Sequence, residues 1–184
     1  MENVCCSEES EEEKEIPMTK LIKERVTVAN EQELVVFLIG MRVNNVWKVH
    51  KWVPVVAAMT RMLKELNEHP EMGLLGVEAT LNFPTTLMVQ YWRSFEDLAV
   101  YAGNRDAVHL PAWREFNRQV GSNGDVGIWH ETYRIPAGHY EAIYNNMPQF
   151  GLGKVLPLIP AIGQRESARS RMEAKQKAIQ GTQQ

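Results

Sequence analysis

The sequence predicts an α+β fold, an antiparallel sheet with helices on one face. Three observations predict it. Residues 33–43, ELVVFLIGMRV, form a strand that is apolar on both parities, so both of its faces are expected to be covered. Residues 74–83 and 86–93 form two strands joined by a tight Asn-Phe-Pro-Thr turn. Helical patterns separate these from strands expected at 126–135 and 139–144. The resulting order, β-α-β-β-α-α-β-β, is a ferredoxin-like plan.

The elements follow in order along the chain. Residues 1–19 are expected to be a solvated acidic arm, because six Glu crowd into positions 8–15, repel one another and bury nothing. A helix is expected over 46–68, where Val55, Met59, Met62, Leu63 and Leu66 keep the spacing of one buried face. Pro54 is expected in its first turn, where a missing N–H costs nothing, with Trp47, His50 and Trp52 in a short turn ahead of it. Pro70 and Gly73 close it. In strand 86–93, Leu87, Val89 and Tyr91 alternate with Met88, Gln90 and Trp92. Ser94 is a natural N-cap with Asp97 as its capping-box partner, opening a helix whose apolar face is Phe95, Leu98, Ala99 and Ala102. An Asn-Arg-Asp linker leads to His109, and Pro111 opens a further helix with Trp113, Phe116 and Val120 inward. Residues 145–163 are too rich in Pro and Gly for regular structure, yet apolar enough to pack across something. One domain is therefore expected at 20–163, followed by a charged, weakly helical or disordered tail at 164–184.

Hydrophobic residues make up 44% of the 184, enough for a packed core. The net charge of -3 is polarised between an acidic start and a basic end, which leaves a neutral body. A dedicated nucleic-acid binder would carry a basic face, so nucleic acid is not an expected partner. Cys5 and Cys6 are adjacent in the acidic arm and cannot staple a core. The start of the chain lacks the apolar stretch of a signal peptide, and no apolar run approaches the ~20 residues of a membrane span. A cytoplasmic setting follows as the expectation.

The chemistry-bearing residues concentrate between Trp92 and Tyr144, which hold three of the five Trp and three of the five His. No GxSxG, Walker loop or GxGxxG occurs. His130-Glu131 begins like the zinc-protease HExxH, but Arg134 stands where the second His belongs. On strand 126–135, Ile128, His130, Thr132 and Arg134 share one face and Trp129, Glu131 and Tyr133 the other. Tyr140, Ala142 and Tyr144 are expected along one side of the next strand, with Glu141 opposite, as the wall of a cleft for an apolar or aromatic ligand. Such aromatic residues at strand spacing also serve as plain core. His109 stands at the end of a polar linker that local backbone needs do not explain, with Arg114 and Asn117 on the following helix. A neutral imidazole there suits haem ligation or proton transfer, or equally a surface or capping role.

The residues YWRSFEDLAVYA, HLPAWREFNR, VGIWHETY and YEAIYNNMP, spread over roughly 20–157, resemble the small-monooxygenase family typified by the fumagillin-pathway enzyme. That family is similar to the antibiotic-biosynthesis monooxygenases of the dimeric α+β barrel superfamily. The resemblance implies a homodimer formed through the sheet, and oxidation of an apolar unsaturated or aromatic, polyketide-like secondary metabolite by O2. It leaves the cofactor as none or haem, with His109 the axial ligand if haem binds. It implies His109, His130, Glu131 and Tyr133 as catalytic residues. The ligand-binding set is Trp92, Trp113, Asn117, Trp129, Tyr140 and Tyr144. The alternatives are a haem enzyme of the same superfamily, aldoxime-dehydrating or haem-degrading, and a non-catalytic binding protein on the same scaffold.

Overall fold

A computed structural model of the chain describes residues 20–29, 31–103 and 124–173. In chain order its elements are β1 (Val26–Val28), β2 (Leu34–Val43), α1 (Val49–Glu68), β3 (Leu74–Asn82), β4 (Thr85–Trp92), α2 (Phe95–Gly103), β5 (Val126–Ile135), α3 (Leu152–Val155) and β6 (Leu158–Pro160). Strands β2 to β5 form one antiparallel sheet in the spatial order β3-β4-β2-β5. With α1 between β2 and β3 and α2 between β4 and β5, this is the expected α+β, ferredoxin-like arrangement. The short strands β1 and β6 pair separately.

The apolar parities of β2 are explained by two clusters, one on each side of the sheet. Val35 packs with Trp92 of β4, Leu66 of α1 and Leu98 and Tyr101 of α2, with Phe37, Met62, Met72 and Leu74 against them. Leu34 packs on the other side with Val28, Tyr140, Tyr144 and Leu156, joined by Val36, Tyr91, Ile135, Leu152 and Val155. Burying each such side chain contributes roughly 1.5–3 kcal/mol, so the central strand is held from both faces.

The second cluster corrects the expected last strand. Residues 139–144 do not pair with β5; only Tyr144 makes an isolated bridge, exchanging backbone hydrogen bonds of 2.8 and 3.0 Å with Val26. Among the described residues no strand pairs with the outer edge of β5, and the segment after β5 instead packs beneath the sheet. The Pro- and Gly-rich segment after it does pack across something, namely one end of the sheet face opposite the helices. There Val155 sits so close to Gly76 that a Cβ at Gly76 would lie 2.4 Å from its methyl. Regular structure does form in this segment, as α3 and β6.

Three local expectations also change. Helix α1 begins at Val49, so His50 and Trp52 lie within it and Pro54 falls in its second turn, not its first. The start is anchored by Lys48, whose Nζ reaches Asp125 at 2.8 Å, and by the Trp52 indole N–H, which donates to Val46 O at 3.2 Å. In α2 the buried pair is Leu98 and Tyr101, while Phe95, Ala99 and Ala102 are exposed. Tyr101 is drawn inward because its ring packs 5.6 Å from that of Trp92 while its hydroxyl reaches Glu65 at 3.2 Å. Finally, the tail does not leave the body at 164. Arg171 is only 7% exposed, and its guanidinium lies 2.7 Å from Glu141.

The cap at Ser94 forms, with a variation. Its Oγ accepts from the Asp97 N–H at 3.0 Å, and the Asp97 carboxylate accepts hydrogen bonds from the Ser94 hydroxyl and from Arg93 Nε and Nη2. The Arg93 hydrogen bond, then that of Ser94, holds the Asp97 carboxyl below its ordinary 3.8. This arrangement therefore stabilises fully above that value and fades as pH falls through the lowered one. Ser94→Ala is expected to cost about 1 kcal/mol at neutral pH, read from the urea midpoint. Gly73, in the left-handed region at φ 91°, makes room for the same carboxylate, because a Cβ would lie 2.6 Å from Asp97.

Candidate active site

The strand registers sort the site candidates onto two faces. Residues directly opposite across an antiparallel pair share a face, so Val35, Phe37, Ile39 and Met41 line up with Trp92, Gln90, Met88 and Thr86 of β4. The same rule adds Arg134, Thr132, His130 and Ile128 of β5. This is the side on which α1 and α2 pack. The opposite side carries Leu34, Val36 and Leu38 of β2, Leu87, Val89 and Tyr91 of β4, and Trp129, Glu131 and Tyr133 of β5.

On the helix-facing side, Trp92 is 1% exposed and forms the centre of the core cluster. Its indole N–H donates to Gln90 Oε1 at 3.0 Å. Beside Gln90 across the strand pair stands Phe37, and the His130 ring lies 5.6 Å from it, tilted by 42°. His130 itself is exposed at the sheet edge. The structure thus lays a buried amide and indole, an aromatic ring and an accessible imidazole across three adjacent strands. Burial, and then Glu65, push the Tyr101 phenol far up, so it remains a donor at any working pH.

On the opposite side, the Tyr133 hydroxyl donates to Glu131, and that bond raises the Tyr133 pKa. Trp129 packs close to Gly40, where a Cβ would meet its Nε1 at 2.8 Å and Thr86 O at 2.2 Å. A glycine inside a strand can mark a close approach of this kind. Tyr140 and Tyr144 are buried in the second cluster with their hydroxyls engaged. Tyr140 donates to Gln32 O at 3.0 Å, and Tyr144 accepts from the Gly153 N–H at 2.9 Å. Burial pushes the Tyr140 pKa up to about 12 and raises that of Tyr144 as well. Tyr144→Phe would orphan a buried N–H, and a loss of about 1–3 kcal/mol in denaturant unfolding is expected.

His130 and Trp92 therefore share one side of the sheet, while Glu131, Tyr133, Trp129, Tyr140 and Tyr144 lie on the other. His109, Trp113 and Asn117 lie outside the described residues, as does the helix expected after Pro111. Gln90 had only its place in the strand alternation, because a single polar residue in an apolar strand signals nothing without its register. Among the described residues no three His, Cys, Asp or Glu converge as a metal site, and no helix is long and apolar enough to cross a membrane.

The family model Monooxygenase af470-like matches residues 34–152, from the first residue of β2 to the first of α3. The chain belongs to the Monooxygenase af470-like family. The match takes in the whole four-stranded sheet and both packed helices. Monooxygenase af470 of Aspergillus fumigatus is 30% identical over 94 residues, 48% of this chain and 33% of that protein. The chain thus spans about a third of the length of that curated relative. Among solved structures, an aldoxime dehydratase in complex with butyraldoxime superposes with a TM-score of 0.61 at 14% identity, over 76% of this chain and 44% of that one. That likeness shows a shared fold alone. SnoaB of Streptomyces nogalater, a cofactor-independent oxygenase, matches over 55% of this chain and 91% of its own at a TM-score of 0.40 and 10% identity, too slight a likeness to argue from.

Proposed function

We propose that this chain is a monooxygenase that oxidises an apolar, unsaturated or aromatic secondary metabolite with O2, on the helix-facing side of its sheet. One observation carries the reading: the family match runs through every strand and helix that builds that side. Trp92, Phe37 and the core around them supply an apolar, aromatic environment, and His130 supplies a base at its accessible edge. A neutral imidazole removes a proton from a carbon flanked by unsaturation, and the carbanion reacts with O2. When a CH2 becomes a C=O in this way, one oxygen atom enters the product and the other leaves as water, so no outside reductant is needed. His109 is proposed as the second histidine of the site.

The test is oxygen uptake by the purified protein with a panel of hydroxynaphthalenes and conjugated polyene esters. Uptake matched one to one by oxygenated product supports the reading, and its absence across the panel contradicts it. A visible spectrum decides the cofactor. A Soret band lost in His109→Ala assigns haem with that residue as axial ligand, which would favour the haem reading. A colourless active protein assigns cofactor-free chemistry.

The reading includes a homodimer in the cytoplasm. The part of the sheet that the C-terminal segment leaves open carries Leu38, Leu87, Val89, Trp129 at 37% exposure and Tyr133 at 48%. A largely apolar surface of this kind, with Glu131 hydrogen-bonded to Tyr133 within it, favours a second copy related by a two-fold axis. Leu38→Asp is expected to weaken the dimer about tenfold to a hundredfold in sedimentation velocity, from the loss of one buried leucine. A wild-type protein that sediments as a monomer at all concentrations would contradict it.

A further inference from the structure

Gln90 is 3% exposed, on the helix-facing side of the central strand pair. Its only side-chain hydrogen bond among the described residues is to the Trp92 indole, at 3.0 Å. An indole N–H only donates, so the amide atom facing it must be the oxygen, and the NH2 group is turned away. Both protons of that NH2 lack an acceptor among the described residues. Leaving a buried donor unpaired costs about 1–3 kcal/mol, and apolar residues of similar shape avoid that cost. Met would fill the same volume in this strand, as Met88 does two residues earlier on the same face.

We infer that Gln90 is a substrate-binding residue, whose NH2 donates a hydrogen bond to a carbonyl or enolate oxygen of the ligand. The inference rests on the monooxygenase reading for its site and deepens it by naming a substrate class: a planar apolar molecule that carries an oxygen acceptor on its ring system. Trp92 is then the positioning residue. Its N–H fixes the amide flip, so the donor is aimed before the ligand arrives. As a proton leaves the adjacent carbon, charge gathers on that oxygen, and a preset donor stabilises it without reorganising.

The probe pair is 9-fluorenone and fluorene, which share a rigid skeleton and differ in a C=O against a CH2. Their dissociation constants are measured by quenching of tryptophan fluorescence, in the wild type and in Gln90→Met. The wild type is expected to prefer the ketone, and Gln90→Met to shrink that preference about tenfold while binding fluorene as before. If Gln90→Met fails to fold because the Trp92 N–H is orphaned, Gln90→Met/Trp92→Phe removes both partners at once and is compared with Trp92→Phe alone. An unchanged ketone preference in a protein that still consumes oxygen overturns the Gln90 assignment and leaves the monooxygenase reading standing. The expected change in preference, in a protein that never consumes oxygen with any substrate, supports Gln90 and overturns the monooxygenase reading. A wild type that binds neither probe overturns the Gln90 assignment and the aromatic site it depends on.

Discussion

Trp92→Ala is expected to destabilise the chain by about 3–5 kcal/mol, measured by urea unfolding. The indole is the largest of the fully buried side chains among the described residues and joins β2, α1 and α2 in a single cluster. Its removal opens a cavity among Val35, Leu66, Leu98 and Tyr101, and also strips Gln90 Oε1 of its donor. A domain of this size has a total stability of only about 5–15 kcal/mol, so a large share is at stake. Trp92→Phe keeps most of the ring volume and should lose far less. A Trp92→Ala protein within about 1 kcal/mol of the wild type would mean that the helices do not depend on this contact.

His130→Ala is expected to lower kcat by about a hundredfold or more with KM little changed, the pattern for losing a positioned base. Of the ionisable side chains on β5, His130 and Arg134 share the helix-facing side, and only His130 can act as a base at neutral pH. Its ring contacts Phe37, so it reaches over the aromatic floor and not away from it. Glu131→Gln, on the far side of the sheet, should leave kcat within severalfold of the wild type. If Glu131→Gln were the damaging change and His130→Ala the mild one, the chemistry would belong to the other face.

Most of the sheet was legible in the sequence, for a physical reason. The bounds of strand β5 match the expectation residue for residue. In β2, apolar residues on both parities foretold two covered faces, and two clusters are present. The errors came where tertiary contacts override local pattern. Tyr140 and Tyr144 suggest a strand by spacing, yet each is held by contacts more than a hundred residues distant or by a helix turn that had not been expected. Tyr101 is absent from the apolar face expected of α2, because its partners Trp92 and Glu65 are remote in sequence. The candidate site was half legible. Alternation separated His130 from Glu131 and Tyr133 correctly, but which face receives the helices depends on register. Gln90 became visible only once that register and its hydrogen bond to Trp92 were known.

Isotopic labelling tests whether O2 supplies the oxygen atom of the product. The purified chain is incubated under 18O2 with the substrate from the panel that it consumes, and the product is weighed by mass spectrometry. One 18O atom is expected in each product molecule, with His130→Ala slowing the labelling. Product labelled from solvent water alone, or formed equally well under argon, would contradict it.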